Sequence, residues 1–290
     1  MRDYLIMTDS CCDLTAQMAE ELGITVLPLS LLMSGQTYRN WLDGRDISFP
    51  DFYARVRAGE TATTSAVSVG DFEAAMRPVL ESGRDILYLG FSSALSTTYQ
   101  SACIAASELQ PEFPEAKILT VDTLCASLGQ GLLVYLCAMK KREGLSVEAL
   151  RDFAEETKGK VCHWFTVDDL NHLKRGGRIS AATAMFGTML AIKPVLHVDG
   201  TGHLTAVGKS RGRKASLLAL VDHMARTAVD PGNQTVFISH GDCEADARFV
   251  AEEITRRFGI REIHLNYIGP VIGNHAGPGT VALFFLGTER

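Results

Sequence analysis

Short apolar runs alternate with amphipathic stretches along the first half of the chain. Tyr4-Leu5-Ile6-Met7 reads as a buried strand, and residues 14–22 read as a helix with Asp13 as its N-cap. Residues 25–29 form the next strand, and residues 51–58 and 72–82 carry helical periodicity. A strand at 85–89, a helix within 97–113, a strand at 117–121 and a largely buried helix at 129–142 continue the pattern. This β-α-β-α rhythm predicts a mainly parallel sheet with helices on both faces. Ligands of such sheets bind beyond the carboxyl ends of the strands. The loops Thr8-Asp9-Ser10, Gly90-Phe91-Ser92-Ser93 and Asp122-Thr123 fall on that side.

The texture changes after about residue 158. A strand is expected at 162–166, then a helix over 167–175 stopped by Gly176-Gly177. Residues 181–190 are apolar and helical, and 194–207 read as a hairpin turning at Asp199-Gly200-Thr201-Gly202. Helices at 216–227 and 245–258 alternate with strands at 235–239 and 262–267. The expected architecture is two α/β domains. Residues 1–158 form the first, and residues 159–290 form a smaller one with a mixed sheet.

Composition narrows the function. The chain has 290 residues, 46% of them apolar and 21% charged, as in ordinary globular proteins. A net charge of −6 argues against a nucleic-acid partner. No apolar run approaches the ~18 residues of a membrane span, and Met1 to Ile6 lack a signal-peptide apolar region, so a cytoplasmic protein is expected. The seven cysteines are odd in number and lack any Cys-x-x-Cys pair, which excludes a disulfide framework or zinc knuckle pattern. Cys103, Cys125 and Cys137 read as core fillers, whereas Cys11-Cys12 could be reactive in a loop. The eight histidines are scattered without metal-ligand spacing, so neither metal nor cofactor is expected.

Four segments could carry chemistry. Residues 61–68 hold five hydroxylic side chains ahead of a helix, which suits either an anion site or a linker capped by Ser68. Residues 92–101 cluster hydroxyls again, on the ligand side of the sheet, for anion binding or capping. Lys174, Arg175 and Arg178 flank Gly176-Gly177, and Lys209 to Lys214 form a basic patch. That patch contains Gly208-Lys209-Ser210, but His203 stands where a phosphate-binding loop requires its first glycine. Residues 269–280 pack four glycines, two prolines and His275 into twelve positions. They read as a loop that either presents an imidazole to an anion or simply turns between strands.

Taken in order, these segments resemble the DegV family of bacterial fatty-acid-binding proteins, over nearly the whole chain. The likeness rests on Thr8-Asp9-Ser10 followed by Asp13-Leu14, and on Thr64-Ser65-Ala66-Val67-Ser68 before Asp71-Phe72. It continues with Ser92 to Ser101, Lys174 to Ile179, Lys193-Pro194 and Gly269 to Gly279. The resemblance implies a two-domain DegV-like α/β fold that buries a long-chain fatty acid between its domains. It implies a carboxylate held by Thr64, Ser65, Ser96, Thr97 and His275, with Arg211, Lys209 and Arg178 serving presentation or a partner. A separate ATP-dependent fatty acid kinase would then make the acyl phosphate for phospholipid synthesis, and the protein itself would be a monomeric carrier, not an enzyme. Met185, Phe186, Met189, Leu190 and Ile192 are candidate walls of the acyl tunnel, though a core helix explains them equally well. Ala66, Val67, Ala94 and Thr97 depart from the family pattern and bear on the shape of the head-group pocket. The alternative is an enzyme acting on an anionic acyl or phosphate substrate, with His275 as general acid/base and Arg211 as anion clamp.

Overall fold

The computed structural model describes residues 2–179, 192–288 and 290. Strand β1 (Tyr4–Asp9) runs into a 3-10 turn, Ser10–Cys12, and then α1 (Ala16–Glu21) and β2 (Ile24–Leu27). The hairpin β3 (Ser30–Met33) and β4 (Gln36–Arg39), α2 (Phe49–Arg57), β5 (Ala62–Ser65) and α3 (Val69–Glu81) follow. Then come β6 (Asp85–Gly90), α4 (Thr98–Leu109), β7 (Ile118–Asp122), α5 (Leu128–Arg142) and α6 (Val147–Lys158). The remainder comprises β8 (Val161–Thr166), α7 (Asn171–Arg175), β9 (Ile192–Val198), β10 (Leu204–Arg211) and α8 (Arg213–Thr227). It continues with β11 (Thr235–His240), α9 (Glu244–Phe258), β12 (Glu262–Tyr267), α10 (Pro270–Ala276) and β13 (Val281–Leu286).

Among the described residues, three sheets organise the chain. The first is wholly parallel, in the order β2-β1-β6-β7. Its β6, DILYLG, is buried at every position, as expected of a strand covered on both faces. The second is mixed, in the order β10-β9-β8-β13-β11-β12, with β11 and β12 its parallel pair. Helix α5 packs against β6 and also against β8, β11 and β13, so one apolar helix joins the two sheets. The third sheet, β4-β3-β5, is small and antiparallel.

The structure corrects several local expectations. The hydroxylic segment 61–68 is not a linker, because its residues 62–65 form the edge strand β5. Thr15, not Asp13, caps α1: the Thr15 hydroxyl accepts the Met18 N–H. Asp13 instead takes a left-handed conformation at φ 50° and is 3% exposed. The helix expected from residue 167 begins only at Asn171. The glycine-rich tail is a loop only after Gly277, since residues 270–276 form α10. There Pro270 supplies a preset φ at the first turn, where its missing N–H costs nothing, and Gly277 at φ 83° ends the helix. Helix α6 escaped the sequence reading. Cys11 and Cys12 are buried and burial pushes both thiols far up, so neither has the thiolate character of a reactive cysteine.

Candidate functional site

Loops beyond the carboxyl ends of the parallel strands, the mixed sheet and α10 line a cavity of about 450 Å³. That is the size range of small-molecule sites. Much of its lining is apolar and comes from both halves of the chain: Leu29, Phe91 and Leu95 from the first, Phe165, Val198, Ile272 and Phe284 from the second. Polar groups gather among Thr64, Ser65, Ser96, Thr97, Arg178 and His275, which also line it.

Each of these side chains is placed by local structure. Thr64 lies on β5, opposite Leu31 of β3, and is half-buried. His275 lies on the last turn of α10. Asn274 Nδ2 donates to the Ala62 carbonyl at 3.1 Å and Tyr53 Oη donates to the Ile268 carbonyl at 2.8 Å, so α10 is tied to β5 and α2. The result is a 2.9 Å contact between Thr64 Oγ1 and His275 Nε2. The other ring nitrogen, Nδ1, is buried and has no hydrogen-bond partner among the described residues. Gly176 makes this approach possible, because a Cβ there would stand 2.1 Å from that Nδ1. Burial, and secondarily the charge of Arg178, pulls the His275 imidazole down to about 4, so the ring is neutral at neutral pH.

The second hydroxyl group comes from the loop between β6 and α4. Ser96 Oγ accepts the Thr98 N–H at 3.2 Å and lies 2.9 Å from Thr98 Oγ1. Thr97 occupies the N-cap position of α4 without a side-chain cap bond and is exposed, as is Ser65. The helix N-terminus thus opens at the cavity, where its partial positive charge favours an anion. Arg178 Nε donates to the Leu95 carbonyl of the same loop at 3.3 Å. A smaller pocket of about 280 Å³ shares Thr64, Arg178 and His275 with the cavity and adds Glu60, His172 and Arg175. Those three shared residues therefore face an apolar interior and a polar pocket at once.

Other expected residues lie elsewhere. Lys209 and Arg211 are exposed on β10, the edge strand of the mixed sheet, and are not among the residues lining the cavity. Arg211, expected beside the carboxylate, pairs in register with Ile192 instead. Ile192 is on β9 and also stands apart from the cavity lining. Met185, Phe186, Met189 and Leu190 lie outside the described residues. Among the described residues, no group of His, Cys, Asp or Glu side chains could hold a metal ion, and no helix is long and apolar enough to cross a membrane. The sequence reading missed Ser127 and His163, both of which line the cavity. Ser127 carried a weak signal only in its place, just beyond the end of a parallel strand.

A cavity between loops of the parallel sheet, the mixed sheet and α10, with apolar walls and several hydroxyls, gives this α/β protein a ligand-sized site. A family model described as "uncharacterised protein, DegV family" matches residues 4–288, and the chain belongs to the DegV family. A DegV domain-containing protein of Clostridium perfringens is 44% identical over 290 residues, which is all of this chain and 99% of that protein. A DegV family protein from Thermus thermophilus, whose solved structure is described as binding a fatty acid, is 33% identical with a TM-score of 0.86, over 99% of this chain and 100% of that one. DegV of Bacillus subtilis, described as a fatty acid binding protein, is 28% identical with a TM-score of 0.85, again over 99% of this chain and 100% of that one.

Proposed function

We propose that this protein binds a long-chain fatty acid in the cavity, with the carboxylate at the Thr64–His275 wall, and presents that carboxylate to a separate ATP-dependent kinase. The observation that carries the reading is one cavity with aliphatic and aromatic walls that hydroxyls, a neutral imidazole and Arg178 also line. The fatty-acid-binding relatives share the fold over essentially their whole length.

The energetics suit the ligand. Each buried methylene contributes ~0.8 kcal/mol, so a long acyl chain supplies on the order of 10 kcal/mol of gross driving force. The head group needs only donors enough to avoid an unsatisfied buried anion. Thr64, Ser96, the N-terminus of α4 and the half-buried Arg178 offer them, and Arg178 lines the cavity whereas Arg211 does not. Because Thr64, Arg178 and His275 also face the polar pocket, a carboxylate held there is reachable from the side away from the acyl chain. The exposed pair Lys209 and Arg211 then suits an acidic partner surface better than the ligand.

Mass spectrometry of lipid extracted from the purified, denatured protein tests the reading. A stoichiometric fatty acid is expected. An empty extract, together with no binding of added long-chain acids, overturns it. The enzyme reading draws on one specific observation, the hydroxyl–imidazole contact of Thr64 and His275, which has the spacing of a nucleophile and its base. It requires turnover of an acyl ester or phosphate by the protein alone, abolished in His275→Ala.

A further inference from the structure

Two elements that carry polar groups of the cavity lining are bonded to one short segment after β1. Asp9 is fully buried, and its Oδ2 accepts the Phe91 N–H at 2.9 Å, the Tyr88 hydroxyl at 2.7 Å and Gln130 Nε2 at 3.2 Å. Its Oδ1 accepts the Cys11 N–H at 3.1 Å. Phe91 opens the loop that leads to Ser96 and Thr97. Asp13 is likewise buried, and its Oδ1 accepts the Gly269 N–H at 2.9 Å while its Oδ2 accepts the Ser127 hydroxyl at 2.6 Å. Gly269 is the N-cap of α10, the helix that carries His275, and Ser127 lines the cavity. The Asp13 carbonyl also accepts Asn266 Nδ2 at 2.8 Å, from the strand leading into α10.

Two buried carboxyls that feel each other's charge are expensive, and among the described residues neither forms an ion pair with a lysine or arginine. A purely stabilising role is poorly served by such groups, because apolar side chains would fill the space at lower cost. What they do provide is direction: buried carboxyl oxygens hold backbone N–H groups at fixed geometry, and hold them more firmly when ionised. Gly269 admits no alternative there, since a Cβ on it would lie 2.9 Å from Asp13 Oδ1 and 2.9 Å from Asn40 Oδ1.

We infer that Asp9 and Asp13 are positioning residues of the carboxylate site, Asp9 fixing the loop that carries Ser96 and Thr97, and Asp13 fixing the helix that carries His275. The inference rests on the fatty-acid reading for its ligand, but its structural half does not. A residue that only stabilises the fold lowers the affinity of every ligand alike. A residue that positions head-group donors lowers the affinity of an acid and spares the corresponding alcohol.

The experiment compares Kd for hexadecanoic acid and hexadecanol in the wild type, Asp9→Asn, Asp13→Ala, Asp13→Asn and Gly269→Ala. In parallel, the His275 ring resonances are followed by NMR in the ligand-free proteins. Asp13→Ala is expected to weaken the acid by about tenfold or more relative to the alcohol. Asp13→Asn restores part of that ratio, because its amide oxygen still accepts the Gly269 N–H. Gly269→Ala, whose backbone at φ −64° accepts a side chain, reproduces the Asp13→Ala effect by crowding the contact, and serves if Asp13→Ala does not fold. The His275 resonances shift in the Asp13 and Gly269 variants and stay in place in Asp9→Asn, which changes only the acid-to-alcohol ratio. Equal weakening of acid and alcohol, or an unshifted His275 in both the Asp13 and Gly269 variants, overturns the inference. If the wild type binds neither compound, the fatty-acid reading fails, and the His275 resonances alone then decide whether Asp13 positions α10.

Discussion

Thr64 Oγ1 and His275 Nε2 lie 2.9 Å apart although 211 residues separate them in the chain. The contact joins an edge strand of the small antiparallel sheet to the last turn of α10, and it sits where the cavity meets the polar pocket. In the proposed binding mode this contact marks where the carboxylate is held.

Thr64→Val keeps the shape of the side chain and removes its hydroxyl. A hydrogen bond to a charged group is worth about 1.5–3 kcal/mol, so fatty-acid affinity should fall by roughly ten- to a hundredfold. His275→Ala should act in the same direction. Displacement of a fluorescent fatty acid measures both, and unchanged affinity in the two variants removes the carboxylate from this wall.

Arg178→Gln should raise the His275 imidazole from about 4, because the Arg178 charge is one of the two causes that hold it down. Burial is the larger cause, so the ring should still titrate below the ordinary histidine value of about 6.5. NMR titration of the ring protons reads the shift. A ring that does not move places Arg178 outside its electrostatic reach.

Stability should fall as pH drops below about 6.5. His163, His172, His197, His223, His240 and His275 are all held below the ordinary value, with burial the largest cause in each. Between the unfolded and folded values the unfolded chain binds the extra protons, so acid favours unfolding. Asp13 opposes this, because burial raises its carboxyl to about 7 and the folded state then holds a proton that the unfolded chain releases down to about 4. Asp13→Asn should therefore make the loss of Tm steeper on acidification from pH 7. A variant with a shallower acid limb than the wild type contradicts this sign.

Charge reversal at the exposed pair, Lys209→Glu with Arg211→Glu, should leave fatty-acid affinity unchanged and weaken transfer to a partner kinase. Both side chains stand on β10 outside the cavity lining. A matched loss of lipid binding would return Arg211 to the carboxylate.

Cys11 and Cys12 should resist alkylation in the native protein and react only after unfolding, since both are buried with thiols pushed far above their usual range. Cys103 and Cys243 are partly exposed, but burial pushes the Cys243 thiol up to about 12, so Cys103 should be modified first, as peptide mapping after a brief iodoacetamide pulse will show.

Local hydropathy alone determined most of the elements. Strand β12 spans the residues its apolar pattern marks, the apolar run 281–286 is strand β13, and the burial of the first turns of α5 is announced by a nearly continuous apolar stretch. The hydroxyl clusters and the His275 segment were legible too, because residue types of that kind are costly in an apolar core and cheap beside a ligand. Only the tertiary structure decided how they meet. Residues 62–65 show no strong strand pattern, and they become β5 because β3 supplies the hydrogen bonds and α10 covers them. Asp13 looked like a helix cap because Asp commonly fills that role. Its actual partners, Gly269 and Ser127, stand 256 and 114 residues away, and no local preference encodes contacts of that range. The basic patch around Arg211 suited either an anion or an acidic partner surface, and strand alternation on the β10 edge turns Arg211 to solvent. Periodicity is a property of neighbouring residues, whereas a binding site is a property of chain segments brought together by the pairing of sheets.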